Sequence, residues 1–337
     1  MPRLSFSVVR VVRPALALGL LALLVVKLNH ADFLHKLAAT KWVFILGAVG
    51  AVVLDGLVRA WNWTQLIRAM HPDKPAPFGA VLSLYWAGSF MGHFLPSTAG
   101  TDALRAMMAA RSVGGPVSAH AAGVVMLNLI SLITGCAGGL LCVLWLAAMT
   151  HGQGVRWVTA ALFSMPIGVG LLGYWLLRDQ KGFVLRLLRL MRGPFRKLRR
   201  GLRRFMDRLL VFERIGVNAA PIFGIAVLTL LTRASVYALV GQAVGLSLPI
   251  PAWIALVPGY ALSGLIPYSV SGYGGDQAAI VYFLTGVGAA AGGSLAFALI
   301  VPLITLVFNM LGGFVLLFGK VEAPARVAAA PVVGSDS

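Results

Sequence analysis

Charge is what this chain has least of: Asp, Glu, Lys and Arg make up 11% of 337 residues, against roughly 25% in a soluble globular domain, and carboxylates number only ten. A protein so poor in acid has few general acids, bases or hard metal ligands to offer. The motifs that would use them are missing too. There is no Asp-x-Asp for a metal-bound nucleotide sugar, no phosphate-binding loop, no His/Cys/Glu cluster at metal spacing and no serine elbow. No catalytic residue, metal or cofactor is therefore expected. Cysteine is equally scarce: Cys136 and Cys142 share one apolar stretch, which excludes a disulfide framework and leaves them as small packing residues.

What is present is apolar. Hydrophobic residues fill 59% of positions, and several runs reach the ~20 residues that a membrane-crossing helix needs. Spans are expected near Pro14–Val26, Trp42–Ile67, Ala121–Ala148, Val155–Leu177, Ala219–Ala243 and Ala291–Phe318. Two shorter stretches, Phe78–Pro96 and Trp253–Pro267, are broken by Pro and Gly. The first span follows Arg3, Arg10 and Arg13 like a signal peptide, but Lys27-Leu28-Asn29-His30 offers no small-residue cleavage site, so it reads as an anchor.

The formal charge of +18 is uneven. Arg178–Arg214 holds thirteen Lys or Arg against Asp179, Asp207 and Glu213, interleaved with Phe183, Leu187, Leu190, Phe195, Leu198, Leu202 and Phe205. Lying between two spans, it suits a basic amphipathic segment at anionic headgroups, or a plain determinant of topology, better than a nucleic-acid site. Nucleic acid is accordingly not an expected partner.

Self-similarity at a fixed displacement is the most informative feature. At 174 residues, the step from Arg59 to Arg233, Ala60 meets Ala234, Asp102 meets Asp276, and Val113-Gly114 meets Val287-Gly288. Leu129-Ile130-Ser131-Leu132-Ile133 meets Leu303-Ile304-Thr305-Leu306-Val307, and Gly138-Gly139 meets Gly312-Gly313. A small gap is needed just before each Asp. With Arg178–Arg214 in the cytoplasm, Arg105 and Arg111 fall inside. Arg3, Arg10, Arg13 and the Arg59–Lys74 connection join them only if Phe78–Asp102 enters and returns on that face. The same treatment makes Trp253–Asp276 a hairpin from the opposite face. The expected fold is an all-α polytopic membrane protein, about six full spans plus two re-entrant hairpins arranged as an inverted repeat. One membrane domain covers 1–320, with repeat A at about 42–141, repeat B at about 216–315, the basic cytoplasmic segment 178–214 between them and a disordered tail at 321–337.

Irregular backbone at membrane depth is tolerated only where protein buries it or it lines a polar cavity, and paired broken segments mark a transport site. The hairpin tips contribute Pro96, Gly100, Pro267, Ser269, Gly272 and Tyr273 as candidate binding residues, with backbone amides that can face an anion. Of the carboxylates, Asp102 and Asp276 are read as standing apart from the loops and the basic segment, either as helix N-caps or as functional groups. Arg59 and Arg233 occupy matching places in their spans. An intramembrane Arg costs ~2.5 kcal/mol or more, so both are candidates for holding phosphate, which a guanidinium fork fits; the alternative is a structural salt bridge to Asp102 or Asp276. Arg105 is a candidate as well, or a cytoplasmic anchor, Ala279 standing at the matching place. His93 and His120 read as packing residues, and Tyr85, Trp86, Tyr268 and Tyr273 as lining of a headgroup cavity or as interface residues.

At these residues the sequence resembles the lysylphosphatidylglycerol synthase transmembrane family, also called the flippase-like domain family. The similar elements are Arg59-Ala60-Trp61-Asn62-Trp63, then Pro96-Ser97-Thr98-Ala99-Gly100-Thr101-Asp102-Ala103-Leu104-Arg105, then Pro267-Tyr268-Ser269-Val270-Ser271-Gly272-Tyr273-Gly274. Thr101 stands where the family usually has Gly, and Asp276 where it usually has Glu. The resemblance implies a stand-alone lipid flippase of the bacterial inner membrane. Its substrate would be a polar-headed lipid, phosphate-bearing or isoprenoid-derived, with lipid-biosynthesis enzymes as possible partners. An integral-membrane transferase acting on a lipid carrier and a scaffold of a lipid-synthesis complex are the alternatives; scarce carboxylates weigh for a transporter over an enzyme.

Overall fold

A computed structural model describes residues 39–70, 76–92, 98–149, 159–168, 219–263 and 275–318. These residues form nine helices and no strand: α1 (Trp42–Met70), α2 (Phe78–Gly92), α3 (Thr98–Val113), α4 (Val117–Met149), α5 (Thr159–Gly168), α6 (Ala219–Ala243), α7 (Ile250–Ser263), α8 (Gly275–Gly286) and α9 (Ala291–Phe318). The expected span at Pro14–Val26, the basic stretch 178–214 and the tail 321–337 lie outside the described residues, and of the span at Val155–Leu177 only α5 is described.

Four helices, α1, α4, α6 and α9, are long and apolar enough to cross a membrane. Leu46, Leu54, Leu141, Leu303, Val307 and Leu317 point outward from them, a surface that needs lipid rather than water. The protein is a helical membrane protein. By contrast α2 and α7 have 15 and 14 residues, about 22 Å at 1.5 Å per residue, short of a ~30 Å hydrocarbon core.

Helices α1 and α6 pack antiparallel. The Lys41 amide donates to the Ala243 carbonyl at 2.9 Å, Gly47 faces Leu239, and Asp55 meets Thr232 and Arg233. Each remaining packed pair among these helices has a mate when α1–α4 are exchanged with α6–α9. Helix α4 lies on α7 as α9 lies on α2, α3 on α4 as α8 on α9, and α2 on α3 as α7 on α8. The turns correspond as well. Gly114 ends α3 at φ 92° and Gly288 follows α8 at φ 95°, left-handed conformations that glycine adopts without a Cβ penalty.

These contacts define two ends of the bundle. The C-terminus of α1 lies beside the start of α4, where Gly123 faces Leu66 and Met70, and antiparallel packing brings the start of α6 to the same end. At the other end are Lys41, the α6–α7 connection and the start of α9, where Gly293 faces Leu246. Buried apolar residues form two cores: one reaches α1 through Ala48 and Val52, the other through Trp63, Leu66 and Ile67. Polar residues occupy the stretch of α1 between them.

Candidate functional site

That stretch holds Asp55, whose side chain is 4% exposed. Its Oδ2 accepts from Arg59 Nε at 3.0 Å, one helical turn on, and from Arg233 Nη2 across the helix pair. Thr232 Oγ1 donates to Oδ1 at 3.1 Å. The repeat-related arginines thus converge on one carboxylate. The salt-bridge partner is neither Asp102 nor Asp276, and the view that only those two carboxylates stand apart from loops needs correcting, because Asp55 lies inside a span. An isolated charge at this depth costs several kcal/mol, so a carboxylate four residues from Arg59 in an apolar run is the natural counter-ion.

A second constellation stands nearby. Asp102, in the first turns of α3, accepts from Asn128 Nδ2 of α4 at 2.7 Å and sits 3.7 Å from Arg105 Nη1. Arg105 Nη2 donates to Ser89 Oγ of α2 at 2.7 Å, and the guanidinium carbon lies 4.7 Å from the centre of the Tyr85 ring, within cation–π range. Arg105 is therefore held from four sides, by Asp102, Ser89, Tyr85 and the close approach of Gly88, whose place leaves no room for a Cβ beside the Arg105 side chain.

Both constellations border one open cleft, with room of about 60 Å³, lined by Arg59, Asn62, Tyr85, Arg105, Asn128 and Ser131, with Thr229 of α6 also in its lining. Arg59 and Arg105 side chains are 33% and 20% exposed, so each reaches this space while Asp55 does not. Arg59 is eleven residues before the end of α1 and Asn128 eleven after the start of α4, about 17 Å in each case. The cleft therefore lies between the end of the bundle that carries Arg68 and Arg111 and its middle. Two carboxylates, Asp55 and Asp102, face three guanidiniums, Arg59, Arg105 and Arg233. The excess positive charge suits an anion.

A family model for the lysylphosphatidylglycerol synthase transmembrane region matches residues 10–313. The chain belongs to that family. No curated protein matches it. Membership brings a membrane role connected with lipid.

Of the candidates read from the sequence, Arg59 and Arg105 meet on the cleft, Asp102 stands behind Arg105, and Arg233 holds Asp55. Gly100 lies in the first turn of α3. Asp276 is elsewhere, buried between α7 and α8, where Ser263 Oγ donates to its Oδ1 at 2.9 Å. Pro96, Pro267, Ser269, Gly272 and Tyr273 fall outside the described residues. Asp55, Asn62, Ser89, Asn128 and Ser131 were not singled out. A usable signal existed for the first two and for Asn128: a carboxylate or carboxamide inside an apolar span is costly unless partnered.

Proposed function

We propose that this protein translocates a lipid with a phosphate-bearing head across the bacterial inner membrane, as one membrane domain of two inverted repeats. In this reading α2–α3 and α7–α8 are re-entrant hairpins from opposite faces, and the end of the bundle carrying Arg68 and Arg111 is cytoplasmic. The stretch 178–214 precedes α6 in sequence, and α6 begins at that same end, which fits the positive-inside rule. The carrying observation is that Arg59 and Arg105 both line one cleft whose described lining holds no carboxylate. The anionic head enters the cleft and the acyl chains stay in lipid. Arg59 offers its terminal nitrogens because Asp55 engages Nε. Antiparallel repeats that interdigitate as α4 with α7 and α9 with α2 can rock against each other to change the exposed face.

Lipid translocation in proteoliposomes tests the reading. Arg59→Lys keeps the charge and loses the planar fork, so transport of a phosphate-headed lipid should fall by about tenfold or more at matched protein levels. Asp276→Asn should also slow it if that carboxylate takes part. Wild-type rates from both variants and from Arg233→Lys would leave these residues with structural roles alone.

A further inference from the structure

The two repeats share a fold and have parted in chemistry. Along α1/α6, α3/α8 and α4/α9 the displacement of 174 residues holds, so each cleft residue on these helices has a defined counterpart. Arg105 corresponds to Ala279, Asn128 to Pro302, Asn62 to Val236 and Asp55 to Thr229. Every one of these changes removes a charge or an amide from the second repeat. Packing differs as well. Gly123 on α4 corresponds to Phe297 on α9, which is fully buried. Its ring packs edge-on to Tyr237 at 5.8 Å and against Trp253 at 5.4 Å. A further edge-on contact joins Tyr237 to Tyr260 at 6.3 Å. Four aromatic rings thus pack together where the first repeat sets Gly123 against Leu66 and Met70. Asp276 is met by the Ser263 hydroxyl, and no guanidinium can come from position 279.

We infer that the anion site is single, that its charged and amide groups all come from the first repeat, with Arg105 and Asn128 as the residues that distinguish it, and that the second repeat, which adds Thr229 to the lining, is a scaffold for it. This rests on reading the cleft as a phosphate-headgroup site. Phosphate-type oxygens there would meet Arg105 and Arg59, with Asn128 holding Asp102 in place to keep Arg105 oriented.

Equilibrium binding to the full-length protein in detergent, read by native mass spectrometry, tests it with two probes: dioctanoyl phosphatidic acid and inorganic phosphate. The lipid should fill one saturable equivalent. Arg105→Ala should weaken it roughly tenfold or more, and Asn128→Leu, which removes the amide at nearly constant volume, should weaken it severalfold. Thr305→Val, the second-repeat counterpart of a change at Ser131, should leave binding unaltered. A second saturable equivalent that survives Arg105→Ala, or wild-type affinity in a folded Asn128→Leu protein, would overturn the one-sided site. Binding of neither probe would instead remove the anion reading itself. Inorganic phosphate binding as tightly as the lipid would keep a single site but assign it to a soluble anion.

Discussion

Around Asp102 the first repeat gathers a guanidinium, a carboxamide and, through Arg105, a hydroxyl; around Asp276 the second repeat offers the hydroxyl of Ser263 in a buried setting. The helices that carry these groups nevertheless pack in corresponding pairs. What survives in both halves is what the backbone needs: a left-handed glycine after the third helix of each repeat, and a Gly-Gly pair on the fourth. What differs is the set of side chains that reach open space. A repeat can therefore keep its packing on a few small residues while its two copies carry different polar side chains.

The broadest way to break the comparison is to ask whether the halves are inverted at all. Single cysteines replacing Arg111, in the last turn of α3, and Ala289, in the turn before α9, should react with an impermeant thiol reagent from opposite faces in a chain lacking Cys136 and Cys142. Lys74→Cys should follow Arg111→Cys. Labelling of positions 111 and 289 from the same face removes the inversion.

Next in size is the loss of the shared carboxylate. Asp55 is buried and offsets two guanidiniums, so Asp55→Ala should cost about 3–5 kcal/mol of stability, the usual penalty for stranding a buried charge. Adding Arg233→Leu should recover part of it, because one stranded cation goes with it. Unfolding of the detergent-solubilised protein measures both, and a cost below about 1 kcal/mol for Asp55→Ala would mean that the crossing of α1 and α6 does not depend on the pair.

The finest comparison sets Gly312 against its counterpart Gly138. A Cβ at Gly312 would lie 2.1 Å from the Trp86 carbonyl oxygen, whereas at Gly138 it would meet the end of the Leu230 side chain at 2.8 Å. Backbone cannot step aside as a leucine methyl can. Gly312→Ala should therefore destabilise by about 2 kcal/mol, and Gly138→Ala by less than about 1 kcal/mol, since helix propensity returns some of the cost. Equal unfolding shifts would show that α9 and α4 are seated alike.

Much of the architecture could be read along the chain because hydrophobic runs and turn glycines are local signals. The limits of α6 and α9, Ala219–Ala243 and Ala291–Phe318, coincide with the apolar runs. Helix α1 continues past Ile67 to Met70, and α4 begins at Val117 rather than Ala121, since a helix runs on beyond its apolar core into polar turns. The family followed from short motifs at Arg59–Trp63, Pro96–Arg105 and Pro267–Gly274. The site was only partly legible. Arg59 and Arg233 stand out as charges in costly places and Arg105 as a motif residue or cytoplasmic anchor, while Asp55 reads with the ordinary carboxylates although it shares an apolar run with Arg59.

The sequence by itself determined that this protein needs lipid around it and contains the paired positions Arg59/Arg233 and Asp102/Asp276. Composition and periodicity act along one strand of chain, and so does a repeat. Tertiary structure alone decided that Arg59 and Arg233 turn to Asp55, that Asn128 reaches Asp102 from 26 residues away, and that Phe297 packs on Tyr237 and Trp253 in one repeat while its counterpart Gly123 lies against Leu66 and Met70 in the other. Those outcomes depend on which helix faces cross, and a carboxylate at membrane depth goes to whichever guanidinium packing brings within reach.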